Sequence, residues 1–155
     1  MSDVTIQLLA DHPQLAAVIG RWHWDEWGEE EPLGSVEVWS QRLADAAGRG
    51  EVPTVWVAFT GGEPAGSVVL VDHDMDIHRD CTPWLGGLFV VPHFRGLGIA
   101  QRLVRTCEAA AAALGYPSLY LQTEIPQFYA QLGWREYARE RYLGDDVVVM
   151  VRDVR

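Results

Sequence analysis

The residues with the clearest chemical potential follow an apolar run near the middle of the chain, and they read Val90-Val91-Pro92-His93-Phe94-Arg95-Gly96-Leu97-Gly98-Ile99-Ala100. This order predicts a strand, a glycine turn and a helix. The first N–H groups of a helix have no intrahelical acceptor, and the helix dipole is positive at that end. Gly96 and Gly98 permit a tight turn and a close ligand, while Arg95 adds positive charge. The segment is therefore a candidate anion site, although two glycines can also form a tight turn and nothing more.

Two familiar phosphate-binding loops do not match this segment. A dinucleotide fold needs a third glycine at the position of Gln101, and a Walker A loop needs Gly-Lys-Ser/Thr in a chain that has no lysine. The formal net charge of −10 also disfavours a nucleic-acid surface. A cationic small molecule or peptide suits this charge better, although many acidic proteins are acidic only for solubility.

The elements that must position these residues follow from hydrophobic periodicity. Strands are predicted over residues 4–9, 52–60, 65–71, 85–91, 119–123, 134–141 and 147–152, and helices over 13–27, 35–47, 98–114 and 126–132. Gly86 and Gly87 lie in the strand over 85–91, where a bulge or a splay would cost little strain. The order β-α-α-β-β-β-α-β-α-β-β predicts a mixed α/β sheet in one domain over residues 1–155.

Composition indicates a protein that is neither exported nor dependent on a metal. No run of eighteen apolar residues and no signal-peptide pattern occur, so a cytoplasmic location is predicted. The cysteines and histidines lack the spacing of metal ligands, and the histidines are predicted to lie on the surface. The residues concerned are Cys81, Cys107, His23, His73, His78 and His93.

Two stretches of the chain carry a family resemblance. Arg95-x-x-Gly98-x-Ala100, after a strand ending in Val-x-Pro, resembles the cofactor motif of the GNAT acetyltransferases. Residues 128–134, Phe-Tyr-Ala-Gln-Leu-Gly-Trp, are similar to the aromatic-Tyr-x-x-Leu-Gly-aromatic segment of that family, and the element order resembles it over essentially the whole chain. The resemblance implies a GNAT-like acyl-CoA N-acyltransferase fold with the sheet splayed at the cofactor strand.

The resemblance also implies an activity and a cofactor site. The enzyme would transfer an acetyl group from acetyl-coenzyme A (acetyl-CoA) to a primary amine, by direct attack through a tetrahedral intermediate. The pyrophosphate would lie on the amides of Arg95, Gly96, Leu97, Gly98, Ile99 and Ala100. The pantetheine arm would pair with Leu88, Phe89 and Val90, and an N–H of Phe89 or Val90 would stabilise the oxyanion. Many relatives have an asparagine after the next strand, where this chain has Thr123-Glu124-Ile125-Pro126.

Candidate acid and base groups follow from the same chemistry. Tyr129 matches the family's proton donor, and a phenol is protonated at neutral pH and can return a proton to sulfur. Its alternative role is that of a half-buried aromatic residue. The base, acting through water, is sought among Glu26, Asp74 and Glu124, with Glu26 and Glu124 ranked equally ahead of Asp74.

The acceptor site is predicted at residues 22–27, where three tryptophans occur in six residues. Trp22 and Trp24 lie about 200° apart on a helix, so they cannot share a face. Either these rings fill the core, or Trp24 and Trp27 form, with Glu26, a wall for a cationic amine of a small molecule or peptide.

A non-catalytic acyl-CoA-binding domain on the same fold is the alternative function. A homodimer is an option that the resemblance leaves open.

Overall fold

The computed structural model describes residues 3–28 and 34–155 of the chain. Seven strands form one sheet: β1 (Val4–Leu8), β2 (Thr54–Thr60), β3 (Glu63–Val71), β4 (Trp84–Val90), β5 (Ser118–Thr123), β6 (Arg135–Tyr142) and β7 (Asp145–Asp153). The helices are α1 (Leu15–Trp27), α2 (Val36–Asp45), α3 (Ile99–Ala113) and α4 (Pro126–Gln131). The predicted order of elements and the predicted mixed α/β fold class are confirmed.

The predicted boundaries differ from the observed ones by a few residues. The second strand begins at Thr54 and not at residue 52, since Pro53 has no N–H to donate to a ladder. The second helix begins where predicted, because the Ser35 hydroxyl accepts a hydrogen bond from the Val38 N–H (3.2 Å).

The sheet order is β1-β2-β3-β4-β5-β7-β6, and β4 with β5 is the parallel pair among otherwise antiparallel neighbours. Helix α3 covers one face of the sheet, where Leu103 and Cys107 belong to one buried cluster with Val68. Helices α1 and α2 lie over the other face, where Ile19 and Leu43 belong to a cluster with strand residues. Both faces of β2 and β3 are therefore buried, because successive side chains of a strand point to opposite faces.

Candidate functional site

The sheet opens between its two central strands. Strands β4 and β5 are paired only at Trp84 and Tyr120, and the Tyr120 N–H donates to the Pro83 carbonyl (3.1 Å) just before that point. Beyond this contact the residues that follow Trp84 in β4 have no ladder partner on β5. A gap thus opens toward the carboxyl ends of the two strands, with one edge of β4 left unpaired along it.

A β-bulge lies in β4 at this gap. Ser67 of β3 pairs with Phe89 and Val69 pairs with Gly86, so that one residue of β3 faces two of β4. Gly87 has a φ of +55°, and a Cβ there would lie 2.9 Å from both His23 Cε1 and Val69 Cγ2. Only glycine fits this position, and the structure confirms the irregularity that the Gly86-Gly87 pair allows.

Beyond the bulge, the direction of the backbone groups of β4 follows from one hydrogen bond. The Val91 N–H donates to the Ala65 carbonyl of β3 (2.8 Å). Successive N–H groups of a strand point to opposite edges, so the N–H of Phe89 faces β3 and the N–H of Val90 faces the gap. The Val90 carbonyl also points away from β3, because it accepts a hydrogen bond from Arg95 Nε (2.9 Å).

A cavity of about 410 Å³ lies where β4 runs into α3, and we call it the turn cavity. Its lining combines the unpaired part of β4, the glycine turn, the first turn of α3 and the aromatic residues of α4. These residues are Glu26, Leu88, Phe89, Val90, Phe94, Arg95, Gly96, Gly98, Ile99, Ala100, Gln101, Ile125, Phe128 and Tyr129. Of the predicted cofactor residues, only Leu97 is not part of the lining, and its side chain is 59% exposed.

The start of α3 leaves backbone donors at this cavity. Gly98 is the N-cap residue with a φ of +78°, and the first helical hydrogen bond runs from the Arg102 N–H to the Gly98 carbonyl (3.1 Å). The N–H groups of residues 99–101 therefore have no acceptor within the helix. No acidic residue occupies the first turn of α3 and no side chain caps it, so the positive end of the helix dipole is uncompensated.

Arg95 stands beside these donors. Its guanidinium lies 5.6 Å from the centre of the Phe89 ring, and its Nε is held by the Val90 carbonyl. One end of the guanidinium is thereby fixed while the residue remains exposed. The turn cavity thus combines helix N–H groups with one positioned positive charge, a combination that suits an anion.

A second, wider cavity of about 620 Å³ lies against the same gap on the side of α1 and α2, and we call it the cleft. Aromatic rings and four carboxylates line it together with one arginine. The chemically distinctive members of its lining are Trp27, Trp39, Tyr142, Glu26, Asp74, Glu124, Asp145 and Arg42. The acidic groups outnumber the basic one, so a cation is the better match in charge.

Four residues border both cavities, namely Glu26, Leu88, Ile125 and Tyr129. Tyr129 is 7% exposed, and burial raises the pKa of its phenol to about 12. A higher pKa keeps the hydroxyl protonated at any physiological pH. The structure thus places a protonated phenol hydroxyl at the junction of the two cavities.

The predicted base candidates all line the cleft, on different elements. Glu26 belongs to the last turn of α1 and borders the turn cavity as well, whereas Glu124 follows β5 and borders the cleft alone. Both are exposed. Asp74 receives the Gln122 side-chain amide at its carbonyl (3.1 Å) and at Oδ2 (3.3 Å).

The three tryptophans of α1 diverge, as the helical spacing predicts. Trp27 lines the cleft, and Trp22 packs against the Phe89 ring at 5.7 Å. Trp24 contacts the ring of Trp39 edge-on at 6.0 Å and is not part of the cleft lining. Of the predicted acceptor residues, the structure brings Glu26 and Trp27 to the cleft and leaves Trp24 behind Trp39.

The prediction that His23 lies on the surface is wrong. Its side chain faces the sheet, it is 5% exposed, and burial lowers its pKa from 6.5 to about 4, against the opposing effect of the Gly87 backbone. The sequence analysis missed this residue because histidines were tested only for spacing between metal ligands. The helical spacing from Ile19 to His23, four residues along the buried face of α1, could have found it.

Within residues 3–28 and 34–155, no group of three or more His, Cys, Asp or Glu side chains could hold a metal ion. Over the same residues, none of the helices has the length and apolar character needed to cross a bilayer.

Comparison with known proteins places this geometry in a family. Residues 16–134 match the model of the acetyltransferase (GNAT) family. No curated protein sequence matches the chain. The chain therefore belongs to the GNAT family, which confirms the predicted membership and makes the protein an acetyl-CoA-dependent acyltransferase by class.

Solved structures share the fold. An aminoglycoside 6'-N-acetyltransferase crystallised with coenzyme A has a TM-score of 0.76 and 17% sequence identity, over 97% of each chain. An acetyltransferase of the GNAT family from Streptococcus pneumoniae has a TM-score of 0.71 and 18% identity, over 97% of this chain and 99% of that one.

Proposed function

We propose that this protein transfers the acetyl group of acetyl-CoA to a primary amine of a cationic small molecule or peptide. The observation that carries the proposal is the gap between β4 and β5, where the turn cavity and the cleft meet at Tyr129. A donor in one cavity and an acceptor in the other would meet at that residue.

The turn cavity suits coenzyme A in both shape and charge. The N–H groups at the start of α3 and the guanidinium of Arg95 would receive the pyrophosphate. A Cβ built on Gly96 or Gly98 would meet nothing within 4 Å, so the space above the turn is open to a ligand. The unpaired edge of β4 would pair with the amide groups of the pantetheine arm as a further strand does.

The carbonyl of the acetyl group would be polarised at the unpaired edge of β4. The sequence leaves Phe89 and Val90 as alternatives. The Val91 to Ala65 hydrogen bond favours Val90, because the N–H of Phe89 faces β3. A fixed backbone N–H aimed at the developing oxyanion is a common and large source of catalysis.

The transfer step exchanges one bond for another and moves two protons. The amine nitrogen forms a bond to the carbonyl carbon, and the bond from that carbon to sulfur breaks. The Tyr129 hydroxyl gives its proton to the departing sulfur, and a carboxylate takes the proton that the amine loses. Glu26 and Glu124 both fit the base, and Glu26 is favoured because it borders both cavities.

The cleft accounts for the acceptor side of the proposal. Its carboxylates would attract an ammonium group, and the rings of Trp27 and Trp39 would contact the cation. The aminoglycoside acetyltransferases among the structural neighbours are compatible with an amine of this kind. Family membership gives the class of reaction. The acidic lining of the cleft supports the further proposal that the acceptor is positively charged.

Titration calorimetry and a thiol-release assay test the proposal together. We expect acetyl-CoA to bind while NAD and ATP do not, and thiol release to be fastest with amines that carry a second positive charge. Binding without turnover over the whole amine panel would favour the non-catalytic acyl-CoA-binding alternative. Failure of acetyl-CoA to bind at millimolar concentration would remove the proposal.

Two charge-neutral variants identify the base. We expect Glu26→Gln to lower kcat at neutral pH more than Glu124→Gln does, by about tenfold. Glu63→Gln, at the exposed first residue of β3 and outside both linings, is the matched control and should leave kcat unchanged. The opposite ranking would assign the base to Glu124.

A further inference from the structure

A buried chain of hydrogen bonds links α1 to the bulge of β4. His23 Nε2 lies 2.9 Å from Ser67 Oγ, and the Ser67 hydroxyl donates to the Gly87 carbonyl (2.9 Å). His23 is 5% exposed and Ser67 is fully buried. A chain of this kind is stabilising only if every member is satisfied.

The protons of this chain can be assigned from its connections. The Ser67 hydroxyl has one hydrogen, and the Gly87 carbonyl, which is only an acceptor, receives it. Ser67 Oγ must then accept from His23, so His23 carries its proton on Nε2. Burial keeps the imidazole neutral by lowering its pKa to about 4.

The chain ends where the strand ladder is interrupted. At the bulge, Val68 of β3 faces two residues of β4, so the regular ladder cannot pair every backbone group. The hydroxyl of Ser67 supplies the missing donor for the Gly87 carbonyl. Gly87 lines the cleft, and Leu88, the next residue, borders both cavities.

Helix α1 contacts β4 on either side of this polar link. The rings of Trp22 and Trp27 lie 5.7 and 6.3 Å from the Phe89 ring, and the His23 ring contacts Trp27 at 5.0 Å. Apolar contacts between rings have little directional preference. The hydrogen bonds through Ser67 fix one position, because they are directional.

We propose that His23 and Ser67 are positioning residues for acyl transfer, which hold the β4 bulge and α1 in the register that aligns the unpaired edge of β4 with the cleft. In the proposed function, the backbone of β4 contacts acetyl-CoA. His23 does not contact acetyl-CoA and acts on that backbone through Ser67 and Gly87. Small displacements of a reacting group are enough to slow a reaction severely, so loss of the link should lower kcat more than it lowers binding.

Paired variants separate the hydrogen bond from simple packing. Ser67→Ala removes the hydroxyl that links His23 to Gly87. His23→Leu removes the Nε2–H donor and fills its place with an apolar side chain. In His23→Gln the side-chain amide can occupy the place of Nε2 and still donate to Ser67. We expect Ser67→Ala and His23→Leu to lower kcat by about tenfold or more and to change the Kd of acetyl-CoA by less than about threefold. His23→Gln should restore kcat to within about threefold of the original enzyme.

Thr54→Val is the matched control. Thr54 is also buried, its hydroxyl donates to the Glu51 carbonyl (2.6 Å), and it lines neither cavity. This variant should lose stability comparable to that lost by Ser67→Ala and keep its kcat. Equal kcat values for Ser67→Ala and Thr54→Val, or for His23→Leu and His23→Gln, would overturn the proposal.

A second measurement does not depend on turnover. It therefore tests the positioning role of His23 and Ser67 independently of the proposed acetyl transfer. Hydrogen exchange at the Leu88 and Phe89 amides should accelerate at least about tenfold in Ser67→Ala, because the bulge loses its internal donor. Thr54→Val should leave those two amides unchanged. Unchanged exchange in Ser67→Ala would also overturn the proposal, whereas absence of turnover in the original protein would count only against the proposed function.

Discussion

The turn cavity and the cleft are neighbours that are constructed differently. Most of the turn cavity comes from residues 88–101, one continuous stretch that leaves β4 and enters α3. The cleft takes its residues from α1, α2, β3, β4, β5, α4, β6, β7 and the loops between them. The turn cavity is therefore formed by residues that are close in sequence, and its polar groups are mainly backbone N–H groups. The cleft is formed by residues that are distant in sequence, and its polar groups are mainly charged side chains. If the proposed function holds, a short motif is enough to recognise acetyl-CoA, while recognition of the amine depends on how distant segments pack.

Replacement of Tyr129 tests the junction of the two cavities and should have the largest effect. We expect Tyr129→Phe to lower kcat by about 10²- to 10⁴-fold, because the proton donor is lost while both cavities keep their shape. The Kd of acetyl-CoA, measured by calorimetry, should stay within about twofold. Tyr116→Phe, a partly buried tyrosine beyond the far end of α3, is the control.

The pH profile of the unaltered enzyme bears on the same residue. Since burial raises the pKa of Tyr129 to about 12, the phenol stays protonated over the usable range. The rate should rise with pH as the amine loses its proton, with no descending limb below pH ~11. A descending limb near pH 9 that disappears in Tyr129→Phe would contradict this assignment.

Acid should weaken the contact of the cleft-lining helix α1 with β4, through His23. The folded-state pKa of about 4 lies below the ordinary value of 6.5, so the unfolded chain binds the proton more readily. Stability is then fully present above pH 6.5 and is lost as the pH falls toward 4. The difference of two to three pKa units corresponds to about 3 kcal/mol of unfolding free energy.

Urea unfolding at a series of pH values measures this loss. The unaltered protein should lose stability steeply between pH 6.5 and 4, and His23→Gln should lose less over the same interval. His93→Gln, at an exposed residue between β4 and α3, should keep the steep dependence. Identical profiles for the two variants would show that His23 does not titrate as described.

A pair of glycines tests the local nature of the turn cavity and should give the smallest effect. Gly98 and Gly115 flank α3, both have positive φ (+78° and +91°), and a Cβ added at either would meet nothing within 4 Å. Valine at either site imposes similar backbone strain. We expect Gly98→Val to weaken acetyl-CoA binding about tenfold, because its side chain enters the space above the helix start. Gly115→Val should destabilise the protein and leave that Kd unchanged, and equal losses of affinity would refute the local description.

Much of the fold could be predicted because its causes are local. The spacing of Ile99, Leu103 and Cys107 specifies the buried face of α3, and Ser35 specifies the start of α2. The strand boundaries were less certain, since pairing between strands decides where a ladder begins. Gly87 shows both sides of this limit: the glycine pair indicated an irregularity, but only the packing of His23 and Val69 against it shows why a side chain is excluded.

The candidate site divides in the same way. The lining of the turn cavity could be predicted as one motif, with the single exception of Leu97, which is exposed and outside the lining. Of the predicted acceptor residues, Glu26 and Trp27 line the cleft and Trp24 does not, because Trp24 and Trp27 contact different neighbours. His23 was missed altogether, since its partners Ser67 and Gly87 are more than forty residues away in the chain.

The sequence by itself determined the order of elements, the glycine turn at the start of α3 and the family. Each of these depends on residues within about one helix or strand of each other, where periodicity and backbone freedom act directly. The resemblance implied a splayed sheet, but only the tertiary structure decided that the splay begins after Trp84, that Tyr129 lies between two cavities, and that His23 is held beneath the bulge. These features depend on which distant surfaces exclude water from one another, and no local pattern encodes that choice.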